Sequence, residues 1–120
     1  MKRILVVEDN ETNMYLMRFI LQKAGHQIIE AWDGAAGVES AKNNNPDLIL
    51  LDMQLPVMDG YEAAKTIRAS EAGREIPIIA ITSYAMVGDR EKTLNAGCTA
   101  YIEKPINPET FLDELNRYLV

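Results

Sequence analysis

Four short apolar runs in this 120-residue chain each end in residues able to do chemistry. Ile4 to Val7 gives way to Glu8 and Asp9, Leu48 to Leu51 to Asp52, Ile78 to Ile81 to Thr82 and Ser83, and Ala100 to Glu103 to Lys104. An isolated Asp at a strand end more often caps a turn than reacts, so Asp52 matters through its company. If these ends converge, the carboxylates of Glu8, Asp9 and Asp52 repel one another at roughly 4 kcal/mol per pair at about 4 Å in an effective dielectric of about 20. Lys104 supplies one offsetting charge. The hard oxygen set that remains, carboxylates, a backbone carbonyl such as that of Gln54, water and a phosphoryl oxygen, is the environment Mg²⁺ prefers. Glu8, Asp9, Asp52, Lys104 and one Mg²⁺ sum to zero charge, which leaves room for a phosphoryl group. Attack by the Asp52 carboxylate on phosphorus would then be assisted by the metal and Lys104 at the equatorial oxygens. The Thr82 hydroxyl and backbone N–H groups near Met53 and Ser83 would add hydrogen bonds.

Positioning these groups requires strands with both faces covered. Leu48 to Leu51 is apolar at every position, as in a strand under two helix layers. Pro56 and Asp59-Gly60 then end the strand and turn the chain toward a helix. Around it the pattern predicts strands over Ile4–Val7, Gln27–Ala31, Ile78–Ile81 and Ala100–Glu103. A first helix is predicted from near Glu11 to Gly25, with Leu16, Met17, Ile20 and Ala24 on the core face and Tyr15 and Phe19 off it. Further helices are predicted over Ala35–Asn43, over Tyr61–Ala69 with Ala63, Ala64 and Ile67 inward, and roughly from Val87 to Asn95, stopping at Gly97. A last helix is predicted from Pro108 to about Leu119. Strands alternating with helices imply right-handed crossovers and an α/β, doubly wound five-stranded parallel sheet, in the flavodoxin-like order 2-1-3-4-5.

Composition narrows the function. With 48% apolar residues the chain is the size of a single domain running from residue 1 to 120, with no output domain expected. A net charge of −6 with scattered Lys and Arg argues against direct nucleic-acid binding. The single Cys98 forms neither an intramolecular disulfide nor a thiolate metal site, and no apolar run approaches a membrane span; the expectation is a cytoplasmic protein without membrane insertion.

The pieces "VVEDN", "DLILLDMQLPVMDG", "IIAITSYAM" and "YIEKPI", each in its expected element and order, resemble the receiver domain of two-component response regulators, CheY-like and especially of the single-domain DivK type. The resemblance covers the whole chain. It implies Asp52 as phosphoacceptor, Asp9 and the Gln54 carbonyl as direct Mg²⁺ ligands, and Glu8, in place of the more frequent Asp, as a ligand acting through water. Thr82 takes the role of switch hydroxyl, Lys104 that of phosphate-contacting lysine, joined to Pro105 by a cis peptide bond, and Tyr101 that of a switch aromatic whose phenol faces solvent until phosphorylation. Ser83 lies beside the phosphate, and Gln54 stands where the family varies. The implied function is a phosphorelay switch rather than a turnover enzyme: a phosphoryl group arrives from a histidine kinase or histidine phosphotransfer protein. A downstream protein then binds the face made by the fourth helix, fifth strand and fifth helix, and the regulator itself is a monomer or weak phosphorylation-dependent dimer. Tyr15 and Phe19, beside the acidic loop, are the expected kinase docking patch.

Two rivals fail on the residues. A flavodoxin-like cofactor protein needs a glycine- or hydroxyl-rich phosphate cradle after the first strand, where Glu8, Asp9 and Glu11 stand instead. An aspartyl phosphatase of the dehalogenase type needs a second acid at position 54. A receiver-like scaffold that acts without phosphorylation remains the alternative. His26 is expected at a surface or strand edge, Met53, Met58 and Met86 as loop packing, and Cys98 as a buried apolar side chain.

Overall fold

A computed structural model describes residues 2–83 and 89–119. Five strands, β1 (Arg3–Val7), β2 (Gln27–Ala31), β3 (Leu48–Asp52), β4 (Ile78–Thr82) and β5 (Ala100–Glu103), alternate with helices α1 (Glu11–Lys23), α2 (Gly34–Asn43), α3 (Gly60–Ala69), α4 (Asp89–Asn95) and α5 (Phe111–Asn116). All pairings are parallel and the order is β2-β1-β3-β4-β5, as predicted. Successive side chains of a strand point to opposite faces, so β1, β3 and β4 feed two cores. Leu5, Val7, Ile49, Leu51, Ile78 and Ala80 pack toward Val38 and Ala41 of α2 and Ala63, Ala64 and Ile67 of α3. Ile4, Val6, Leu48, Leu50, Ile79 and Ile81 pack toward α1 and α5. Every residue of β3 and β4 is buried, which explains why these strands lack alternating polarity.

Helix starts are set by side-chain caps. Asn10, Asp33 and Asp59 accept hydrogen bonds from the backbone N–H groups of Asn13, Ala36 and Glu62, so α2 and α3 begin at Gly34 and Gly60, one residue earlier than predicted. Gly60 is needed because a Cβ there would lie 2.4 Å from the Asp52 carbonyl oxygen; the start of α3 is seated directly against the end of β3. Gly25, with φ +92, follows α1 as predicted.

Two assignments need correction. The buried stripe of α1 is Met14, Met17, Ile20 and Leu21, whereas Leu16 is half-buried and Ala24 exposed. The apolar face is centred on the Met14, Met17, Leu21 spacing, one step around the helix from the predicted one. Pro108 does not open a regular helix. Asn107 caps a turn by accepting Glu109 N–H on Oδ1, and its carbonyl accepts Thr110 and Phe111 N–H, so regular helix starts only at Phe111. The chain leaves that helix after Asn116, short of Leu119. The predicted start of the fourth helix at Val87, and Met86, lie outside the described residues.

Candidate functional site

Ladder hydrogen bonds fix where the strand ends stop. Beyond β1, Glu8 N–H donates to the Ala31 carbonyl; beyond β3, Met53 N–H donates to Ile81; beyond β4 and β5, Lys104 N–H donates to Thr82. In register, Val7 faces Leu51, Asp52 faces Ile81 and Thr82 faces Glu103. The reactive side chains thus emerge together at the carboxyl edge of the sheet, at the switch point where β1 lies between β2 and β3.

The structure brings Glu8, Asp9 and Asp52 into one cluster, with a carboxylate oxygen of each within 4.8 Å of the others. Glu8 exposes 0% of its surface and Asp52 2%, while Asp9 is exposed. Oε2 of Glu8 accepts the Asp9 N–H at 3.1 Å and the Asn10 N–H at 3.4 Å. The Lys104 ammonium stands 3.0 Å from Oε1 of Glu8 and 3.3 Å from Oδ2 of Asp52. Its peptide bond to Pro105 is cis. One cation is therefore shared between two buried carboxylates.

The electrostatics show an unmet demand for positive charge. Burial pushes the Glu8 carboxyl up from 4.5 to about 7; hydrogen bonding to Asp52 and the Asp52 charge push the same way, and Lys104 pulls it only partly back. Burial alone would lower the Lys104 pKa, but the hydrogen bond to Glu8 and the charges of Asp52 and Glu8 outweigh it and hold the ammonium above its ordinary value. Three hard oxygen donors around such a deficit fit a divalent cation of the Mg²⁺ kind.

The expected hydrogen-bond donors are placed less simply. Met53 N–H is committed to the β4 ladder and is not available to a phosphoryl oxygen. The Gln54 N–H donates to Oδ1 of Asp52 at 3.0 Å. The Gln54 side chain reaches across to β4, donating from Nε2 to Thr82 Oγ1 at 3.5 Å and accepting Ser83 N–H on Oε1 at 3.4 Å. Sequence reasoning placed the Gln54 carbonyl at the site and marked its side-chain position as variable in the family, but not its reach to β4; a side chain that crosses 28 residues of sequence leaves no periodic signal. Thr82 is buried and Ser83 exposed.

Tyr101, on β5, is half-buried: its ring packs against the core on the α2 and α3 side, and the Arg90 guanidinium covers it 5.7 Å from the ring centroid. Arg90 was not foreseen from sequence, because nothing in the spacing of an arginine on α4 and a tyrosine on β5 announces contact. Tyr15 and Phe19 are exposed, 59% and 53%, with rings stacked 6.3 Å apart. Arg18 and Lys23 lie over their faces. His26 is part-buried at the edge of β2 and accepts Lys2 N–H, while Met53 and Cys98 are buried.

Residues 4–116 match the family described as response regulator receiver domain. The chain is 42% identical over 118 residues to the polar-differentiation response regulator DivK of Brucella ovis, covering 98% of this chain and 96% of that one. Among solved structures it is similar to the receiver domain of a sensor histidine kinase from Pseudomonas aeruginosa PAO1, which holds a magnesium ion in its active-site cleft, with 42% identity, a TM-score of 0.91 and coverage of 98% and 97%. It is also similar to the chemotaxis protein CheY4 of Vibrio cholerae, with 31% identity, a TM-score of 0.94 and 99% of each chain covered. No helix among the described residues is long and apolar enough to cross a membrane.

Proposed function

Because the chain belongs to the response regulator receiver domain family, we propose that it is a phosphorylatable, DivK-like switch of a two-component system in the cytoplasm, charged on Asp52 and not turning over a substrate. The observation that carries this reading is the shared Lys104 ammonium between the buried carboxylates of Glu8 and Asp52. Glu8, Asp9, Asp52 and the Gln54 carbonyl would hold Mg²⁺, and the metal, once bound, supplies charge neutralisation for the incoming phosphoryl oxygens.

The chain's own residues do the rest. Oxygen of Asp52 attacks phosphorus of a phosphohistidine from a kinase or phosphotransfer protein; the P–N bond breaks as the P–O bond forms, its electron pair stays on the ring nitrogen, and the imidazole, protonated on its other nitrogen, leaves as the neutral base. Lys104 moves its ammonium from the carboxylates toward the new dianionic group. The Ser83 N–H, now donating to the Gln54 amide oxygen, is the donor that must be released to meet it, and the Thr82 hydroxyl, which accepts from Gln54 Nε2, turns its O–H to the same group. The consequence is a pull on β4 that reaches Tyr101 on the neighbouring strand and reshapes the α4, β5, α5 face for a downstream protein. The exposed Tyr15 and Phe19 rings are the docking patch for the phosphodonor.

Incubation with a small phosphodonor tests the proposal. Uptake of one phosphoryl group in the presence of Mg²⁺ and none after chelation is expected; equal uptake in both would remove the metal-dependent reading, and no uptake in either would favour a scaffold.

A further inference from the structure

We infer that Arg90 is a positioning residue that holds Tyr101 in its resting orientation and so sets how far the switch has turned before any phosphoryl group arrives. This rests on the reading of Tyr101 as the switch aromatic. Arg90 lies in the first turn of α4 and Tyr101 in β5, and the guanidinium covers the ring at 5.7 Å from its centroid. A groove of about 370 Å³ opens beside the pair, lined by Arg90, Tyr101, Glu103, Asn107, Thr110 and Glu114. Two carboxylates thus lie in the same groove, yet among the described residues no ion pair holds Arg90; its recorded partner is the ring. Any rotation of Tyr101 away from its present half-buried position must break that contact. A cation over a ring at a partly exposed site biases such an equilibrium about two- to fivefold.

The test uses the full chain labelled with fluorotyrosine and observed by ¹⁹F NMR, with the Tyr101 line identified by its loss in Tyr101→Phe. Beryllofluoride with Mg²⁺ marks the turned end of the scale. In the unphosphorylated protein, Arg90→Gln is expected to raise the turned population of Tyr101 about two- to fivefold, and Arg90→Lys, which keeps a cation, to restore most of the resting position. Arg90 is exposed, so the substitution leaves the core intact. A Tyr101 line unmoved by Arg90→Gln, moved toward the resting end, or not restored by Arg90→Lys would overturn the inference. Failure of beryllofluoride to bind would instead strike the acceptor reading, and the Arg90 inference would still be overturned by a Tyr101 line that Arg90→Gln leaves unmoved.

Discussion

Oε1 of Glu8 lies 3.0 Å from the Lys104 ammonium in a position where Glu8 has no exposed surface. The longer acid therefore does more than extend an arm toward solvent: it shares the Lys104 ammonium with the Asp52 carboxylate. Removing one partner of a buried ion pair costs about 3–5 kcal/mol, because the other charge is left stranded. Lys104 keeps 15% of its side chain exposed, so Lys104→Met should fall at the lower end of that range. Urea unfolding in chelator should record the loss and added Mg²⁺ should recover part of it. Unchanged stability would mean the ammonium is not the counter-charge.

The Glu8 carboxyl also sets a pH dependence. Its folded-state pKa, about 7, lies above the unfolded 4.5, so the folded protein binds that proton more tightly. The associated stability is fully present below the unfolded value and is lost as pH rises to about 7, a swing of order 3 kcal/mol. In chelator, the wild type should lose stability over that window and Glu8→Gln should flatten the loss. Metal binding must displace the proton, so Mg²⁺ should stabilise the protein more at about pH 8 than at about pH 6. A stabilisation by Mg²⁺ that is the same at both would show that Glu8 is already ionised without metal.

The strands and their reactive ends were legible because doubly buried strands write continuous apolar runs, and Asp52, Thr82 and Lys104 follow those runs directly. The alternation of elements implied a parallel sheet, and five strands in this length fitted the flavodoxin-like order that the sheet adopts. What the sequence hid depended on rotation or distance. The stripe of α1 is apolar over so wide an arc that Leu16 and Met14 compete for the inward position. Asn107 moved the start of α5 by bonding its own turn, a local choice that competes with Pro108 as a helix opener. Gln54 reaching Thr82, and Arg90 reaching Tyr101, are contacts between elements whose mutual placement only the folded sheet determines.

Val57, at the tip of the loop after β3, has φ 66 and a fully exposed side chain. A β-branched residue in the left-handed region costs about 1–2 kcal/mol, and no burial offsets it. Asn tolerates this conformation, as Asn45 does at φ 47. We expect Val57→Asn to stabilise the protein by about 1 kcal/mol in urea unfolding; a destabilised variant would show that the Val57 side chain has a partner.

Phe19 presents an apolar face without contributing to the core. Its replacement by Ala should change stability by no more than about 0.5 kcal/mol. Transfer from a phosphohistidine donor should slow about 5- to 30-fold if the ring anchors the complex, with small-donor labelling unaffected. Equal loss of both activities would assign Phe19 a folding role.

On the proposed function Asp52, and no other group, receives the phosphoryl. Intact-mass measurement after incubation with a small phosphodonor and Mg²⁺, followed by hydroxylamine treatment, tests it directly. The wild type should gain one phosphoryl group and lose it to hydroxylamine, as an acyl phosphate does, and Asp52→Asn should gain none. Comparable labelling of Asp52→Asn, or a phosphate on the wild type that withstands hydroxylamine, would contradict the account.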